Sequence, residues 1–217
     1  MKIEALCTGT ILTWRHLLVH NAPEGIRFEV PVKCFYIEHN GHKLLFDAGQ
    51  KPLSYQQPDD ANYLVRVTEK DSAAALLEQM DVQPEEIEYV VLSHTHSDHA
   101  AGVADFPQAK VILQKREAAG KQCNYKKLLL EGEYDIFGDG RLVVLPTYGH
   151  TPGHQSLLIK LDDSSKVLLT GDAAYTHEAV LYNCTKAEYQ QRPEYFDTLK
   201  KLRQFQEIGV KLIFSHE

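Results

Sequence analysis

The stretch Tyr89-Val90-Val91-Leu92-Ser93-His94-Thr95-His96-Ser97-Asp98-His99 runs from an apolar segment straight into three imidazoles and a carboxylate. The apolar part reads as a buried strand, and Ser93, Ser97 or Asp98 alone would suffice to cap a following helix. Such a turn has no need of three histidines. Neutral imidazole is the commonest metal ligand. In an extended chain residues two apart share a side, so His94 and His96 can converge on one ion. Asp98 and His99 lie where the chain turns towards a helix and can face a second ion. HxHxDH spacing after an apolar strand predicts metal binding.

Working outward, three more strand ends each deliver one potential ligand. Leu142-Val143-Val144-Leu145 leads to His150, held in the Gly- and Pro-bounded turn Tyr148-Gly149-His150-Thr151-Pro152-Gly153-His154. A strand at 166–169, paired with 156–161, delivers Thr170-Gly171-Asp172-Ala173-Ala174-Tyr175. A last strand at 210–214 leads to His216. Singly, each has a plainer explanation: a turn hydrogen bond, a strand-end cap, a tail residue. Taken with the motif they complete two shells. His94, His96 and His150 would hold one ion; Asp98, His99 and His216 would hold the other; Asp172 would bridge both. Such a ligand set leaves room for water, the condition for catalytic rather than structural binding.

The rest of the chain is read more coarsely. Residues 2–7 suggest a first strand, and 8–27 show no clear pattern. A strand at 32–38, the hairpin signal Asn40-Gly41 and a partner at 43–46 end at Asp47-Ala48-Gly49, with Asp47 directed towards the metal centre. Residues 50–67, with Pro52, Pro58, Asp59 and Asp60, read as a long loop of lid or binding type. Thr68-Glu69-Lys70-Asp71 opens a helix carrying Leu76, Leu77 and Met80. A helical fragment is expected at 116–122. A helix from Arg192-Pro193 presents Phe196, Leu199, Leu202, Phe205 and Ile208 on one face and stops at Gly209.

At 217 residues with no visible linker, the expectation is one domain over 1–217. The formal charge of −7, from 23 Lys+Arg against 30 Asp+Glu, argues against a nucleic-acid partner, which needs clustered basic residues. No apolar run approaches membrane-spanning length, and the first residues lack a signal-peptide core. Cys7, Cys34, Cys123 and Cys184 show no CxxC pairing and suit a reducing compartment. The expected setting is cytoplasmic, with a small molecule as partner.

HxHxDH, the later His-Thr-Pro-Gly-His, the strand-end Asp and the final strand-end His closely resemble the metallo-β-lactamase superfamily. The resemblance implies an α/β (α+β) fold, the αββα sandwich of two mixed sheets flanked by helices. It also implies that Asp47 orients a ligand His and that His154 has a supporting role. Within the superfamily the chain is most similar to the N-acyl-homoserine lactonases, on Pro31-Val32-Lys33-Cys34, Thr151-Pro152-Gly153-His154-Gln155-Ser156-Leu157 and Asp172-Ala173-Ala174-Tyr175. The Tyr matching Tyr175 in those enzymes reaches the substrate carbonyl. Ser97 departs from the group, which commonly has an aromatic there.

The function this implies is a dinuclear metal-dependent hydrolase that opens the lactone ring of N-acyl-homoserine lactones, that is, quorum quenching. A metal-bridging hydroxide would attack the carbonyl, Tyr175 would polarise it, and Asp98 would pass a proton to the leaving oxygen. Zinc is the default for a nitrogen-rich shell, and iron, manganese or cobalt also suit mixed His/carboxylate ligands. The alternatives are another hydrolase of this fold acting on small esters, thioesters or phosphodiesters, and a non-catalytic metal- or ligand-binding protein.

Overall fold

Strand alternation sets the layering of the molecule. The computed structural model describes residues 1–19, 21–120, 125–182 and 192–217. β1 (Lys2–Trp14) and β2 (Arg27–His39) pair antiparallel around a short helix, α1 (Arg15–Leu18). Asn40 and Gly41, at φ 52° and 83°, turn the chain into β3 (His42–Phe46). That is the left-handed pair an Asn-Gly hairpin is built for. β4 (Tyr63–Arg66) adds to the free edge of β1, and α2 (Ala73–Glu78) follows. β5 (Tyr89–Val91), β6 (Lys110–Gln114) and β7 (Lys127–Leu130) then extend the sheet in parallel from β3, interspersed with α3 (Ser97–Ala100) and α4 (Lys115–Ala118). The order is β4-β1-β2-β3-β5-β6-β7.

A second sheet joins β8 (Tyr134–Asp135), β9 (Leu142–Pro146), β10 (Gln155–Lys160) and β11 (Lys166–Leu169) antiparallel. After α5 (His177–Tyr182) and α6 (Pro193–Glu207), β12 (Lys211–Ile213) lies parallel to β11 and completes the order β12-β11-β10-β9-β8.

Successive side chains on these strands face opposite ways, and each face has its own core. Phe35, Ile37, Leu44, Phe46, Val91 and Ile112 meet Leu142, Val144, Leu157, Ile159 and Leu169 between the sheets. Their neighbours Cys34, Tyr36, Leu45, Val90 and Val111 point outward onto Ala73 and Leu77 of α2, and onto Val103 and Phe106. Beyond the second sheet, Leu145 and Leu168 pack on Tyr195, Leu199 and Leu202 of α6. Both faces of the inner strands are covered, which is why β5 and β6 read as unbroken apolar runs. The layers are helix, sheet, sheet, helix, with two mixed sheets, as the resemblance implies.

Three sequence expectations are corrected. The first strand continues from residue 7 to Trp14, across an irregularity between Cys7 and Thr10 where Gly9 takes φ 112°. Residues 50–67 are not all loop: β4 forms there because the edge of β1 offers it unpaired backbone, and Gln57 braces it with hydrogen bonds to Tyr63 O and from Val65 N. The buried stripe of α6 is Tyr195, Thr198, Leu199 and Leu202; Phe196 and Phe205 are only half-buried, and Ile208 is 73% exposed. Ile208 drops off the stripe because the helix ends before it, its φ/ψ no longer helical.

Among the described residues no helix is long and apolar enough to cross a membrane. Cys7 and Cys34 are free thiols, burial pushing the Cys34 thiol far up. Cys123, Cys184 and part of the helical fragment expected at 116–122 lie outside the described residues.

Leu199 is fully buried between α6 and the second sheet. Leu199→Ala should cost about 2–5 kcal/mol through lost burial and the cavity left behind, read as a shift in the denaturant midpoint with unchanged slope.

Candidate metal centre

The chemistry-bearing side chains stand beyond the carboxyl ends of strands, where open sheets of this kind present their ligand sites. Leu92 N still donates to Ile112 O at 3.0 Å, and the chain then leaves the sheet at Ser93. α3 begins at Ser97, so His96 is its N-cap residue and Asp98 and His99 fall within its single turn. β9 leads to His150, β11 to Asp172 and β12 to His216; β3 ends before Asp47. Gly171 lets the loop carrying Asp172 close onto the start of the HxHxDH loop after β5: it sits at φ 56°, and a Cβ there would lie 2.6 Å from Ser93 Cβ.

All seven predicted ligands come together. His150 Nε2 lies 3.0 Å from His94 Nε2 and 3.1 Å from His96 Nδ1. One ring nitrogen offers one hydrogen or one lone pair, so these contacts do not all close as hydrogen bonds; the three donors converge on a common point. Asp98, His99 and His216 form a second group. Asp172 stands between them. Its Oδ2 is 3.4 Å from His150 Nε2, while its Oδ1 is 3.2 Å from both His99 Nε2 and His216 Nε2. Among the described residues, His99 Nε2 and Asp172 Oδ1 are buried and make no hydrogen bond of good geometry. Imidazole and carboxylate donors with inward atoms left unsatisfied are a donor set that suits divalent metal ions.

The outward-facing atoms, in contrast, are tied down. Asp47 Oδ2 accepts from His99 Nδ1 at 2.8 Å and from Ser93 Oγ at 2.9 Å, and its Oδ1 accepts from Ser93 N at 2.7 Å. With its hydrogen committed to Asp47, Ser93 Oγ is left to accept from His94 Nδ1 at 3.0 Å. His216 Nδ1 donates to Pro31 O at 2.8 Å. Each of these bonds selects the tautomer that turns Nε2 inward. His154 serves the backbone instead: its Nε2 accepts from Asp172 N at 3.0 Å while Nδ1 meets Thr147 Oγ1 at 2.9 Å.

Burial and charge divide the histidines. Burial holds His94 and His150 well below the ordinary imidazole pKa, lowers His96, and takes His154 down to about 4. For His99 and His216 burial pulls the same way, but Asp172 and Asp98 outweigh it and raise both, with Asp47 adding to the effect at His99. Burial penalises the Asp172 charge, and His99, His216 and His150 overcome the penalty and hold it well below the carboxylate range. Burial thus favours the neutral form of His94, His96 and His150, whereas the nearby carboxylates favour the charged form of His99 and His216.

One participant is absent from the sequence reading. Glu117, on α4, is 2% exposed. It accepts from Thr95 N at 3.1 Å and Thr95 Oγ1 at 2.6 Å, and also from Thr151 Oγ1 at 2.6 Å and Gly153 N at 3.3 Å. It thereby joins the loop carrying His94 and His96 to the loop carrying His150. The available signal was a carboxylate following the strand Val111-Ile112-Leu113, which no spacing rule marks out.

Asp98, Asp172, Tyr175 and His216 border a cavity of about 340 Å³ that is also lined by Ile11, Leu18, Val30 and Val65. Tyr175 is buried, with its hydroxyl 3.4 Å from His150 Nδ1. Ser97 also lines this cavity.

The sequence profile of the metallo-beta-lactamase superfamily matches residues 27–122 and 124–214. The chain belongs to the metallo-beta-lactamase superfamily. It is 33% identical over 197 residues to an N-acyl homoserine lactonase of Bacillus cereus, covering 82% of this chain and 77% of the relative. It is 30% identical over 203 residues to the N-acyl homoserine lactonase AttM of Rhizobium radiobacter, covering 81% and 77%. A solved N-acyl homoserine lactone hydrolase, with the product N-hexanoyl-L-homoserine at its catalytic metal centre, matches at TM-score 0.85 and 26% identity, over 99% of this chain and 92% of that one.

Glu117→Ala should weaken metal binding about 10–100-fold, the usual cost of losing a support behind the ligands, as measured by competition with a chromophoric chelator. Metal loading near neutral pH should also expel protons, because His99 and His216 titrate above the usual range and must be neutral to ligate. Calorimetry in buffers of different ionisation enthalpy reads this directly; a buffer-independent heat would contradict it.

Proposed function

We propose that this chain is a single-domain, dinuclear metal-dependent hydrolase that opens the lactone ring of N-acyl homoserine lactones. The observation that carries the reading is Asp172, one oxygen facing His150 and the other facing His99 and His216, in the lining of a cavity that polar and apolar side chains share. The similarity to lactonases across most of the chain supports the same substrate class.

In this reading His94, His96 and His150 would hold one divalent ion, Asp98, His99 and His216 the other, and Asp172 would serve both. Zinc is the first expectation for the nitrogen-rich set, with iron, manganese or cobalt as alternatives. Bound metal supplies Lewis acidity and water made acidic enough to act as a nucleophile near neutral pH.

The chain's own groups do the rest. The apolar wall of Ile11, Leu18, Val30 and Val65 takes the acyl chain and excludes water from it. Tyr175 lines the same cavity, and its hydroxyl donates to the lactone carbonyl oxygen as negative charge develops there. Asp98 retains 19% side-chain exposure, unlike the near-buried Asp172, so it can exchange a proton with solvent. It delivers that proton to the ring oxygen as the C–O bond breaks. Asp47 and Glu117 hold the donors in place. The free thiols Cys7 and Cys34 are compatible with a cytoplasmic setting.

Metal-loaded protein given N-acyl homoserine lactones should release acid, and chelation should abolish and added metal restore that release. Tyr175→Phe should lower kcat about 100–1000-fold, as loss of one oxyanion donor does, at unchanged metal content. An absence of acid above the chelated control would rule out the lactone substrate, and an unchanged kcat would remove Tyr175 from the chemistry.

A further inference from the structure

Helix α6 meets the segment that ends in His150 along one face. Arg192, Tyr195, Thr198 and Lys201 recur at every third position, a spacing that aligns residues on a helix. Arg192 Nη1 donates to Gly149 O at 3.0 Å and to His150 O at 2.8 Å. Thr198 Oγ1 donates to Tyr148 O at 2.7 Å, and Lys201 Nζ donates to Pro146 O at 3.2 Å. Between these contacts the helix backbone lies against Gly149, where a Cβ would stand 2.4 Å from Tyr195 Cα. The helix thus grips the main chain of the segment up to the carbonyl of His150 itself.

Arg192 is a poor choice for the helix it begins. N-cap positions favour Ser, Thr, Asp or Asn, whose oxygens bond the free N–H groups, and a cation there opposes the helix dipole. Arg192 occupies the N-cap and makes no side-chain cap bond. Its guanidinium reaches the His150 loop instead. Local rules of this kind are broken where a function compensates. Glu117 accepts from Thr151 Oγ1 and Gly153 N, so it fixes the chain after His150 while α6 fixes the chain before it. Holding the carbonyl of His150 sets the point from which its ring projects.

We infer that Arg192 is a positioning residue for His150, so that docking of α6 and metal binding at the His94, His96 and His150 group are coupled. The inference rests on the reading of His150 as a metal ligand and adds the element that places it.

The test measures zinc affinity by competition with a chromophoric chelator in wild-type, His216→Ala and His150→Ala protein, each with and without Arg192→Ala. Arg192 is exposed, so its truncation opens no cavity in the core. In wild-type and His216→Ala protein the His94, His96 and His150 group is intact. There Arg192→Ala should weaken zinc binding about 10–100-fold, the usual cost of losing a support behind a ligand. With His150 already removed it should have no further effect, the non-additivity expected of residues that act through one another. Arg192→Lys, which still offers a donor to the carbonyls, should recover part of the loss. Coupling is reciprocal. Zinc should therefore slow hydrogen exchange in α6 more than in α2, which packs on the outer face of the first sheet, and Arg192→Ala should remove that difference.

Unchanged zinc affinity in Arg192→Ala, an equal loss in the His216→Ala and His150→Ala backgrounds, or exchange that zinc slows no more in α6 than in α2 overturns this inference and leaves the metal centre standing. Where a background binds no zinc, the exchange comparison decides alone. Wild-type protein that binds no zinc would overturn the reading of His150 as a ligand, and this inference with it.

Discussion

A buried carboxylate among imidazoles holds this site together. Asp172 is nearly inaccessible, and burial alone would favour its neutral form. It stays charged because His99, His216 and His150 surround it, and in turn it draws protons onto His99 and His216. Removing one partner from such a set leaves the others as uncompensated buried charges. The cluster is held in mutual dependence, and divalent cations can replace the protons that balance it.

That balance is tolerable only because the frame is stiff. Gln155, at the start of β10, donates from Nε2 to Leu92 O at 2.8 Å and Ile112 O at 3.0 Å, and Gln155 N donates to Ser93 O at 2.9 Å. One residue of the second sheet thus pins the end of β5 and the start of the HxHxDH segment in the first. Glu117 makes a comparable connection between the His96 and His150 loops, and Asp47 links β3 to Ser93 and His99. The two sheets are joined by apolar packing along their length and by directed hydrogen bonds at the donor end.

The donor residues were legible in the sequence because each follows an apolar run and because imidazole clusters have few other uses. His94, His96, Asp98 and His99 are local and needed only strand periodicity; His150, Asp172 and His216 needed the further observation that strands end in candidate ligands. Glu117 and Gln155 escaped detection because their partners are backbone groups and hydroxyls distant in sequence, which no spacing records. β4 escaped for a similar reason: its pairing with β1 is set by an edge that exists only after β1 and β2 have formed. The stripe of α6 was misplaced because Tyr195 and Thr198, amphipathic in composition, occupy core positions that apolar counting assigns to Phe196 and Ile208.

The parallel pairing of β12 with β11 has a consequence for biosynthesis. Synthesis reaches His150 well before His216, so the elements bearing His94, His96 and His150 emerge while the final strand is still missing. The group of Asp98, His99 and His216 cannot close until β12 has docked beside β11, a long-range step of the kind that is slow in folding. Until that strand docks, Asp98 and His99 lack His216 as their third neighbour, while His94, His96 and His150 all belong to elements that precede it. The order of the chain thus makes the closing of one donor group depend on the docking of its last strand.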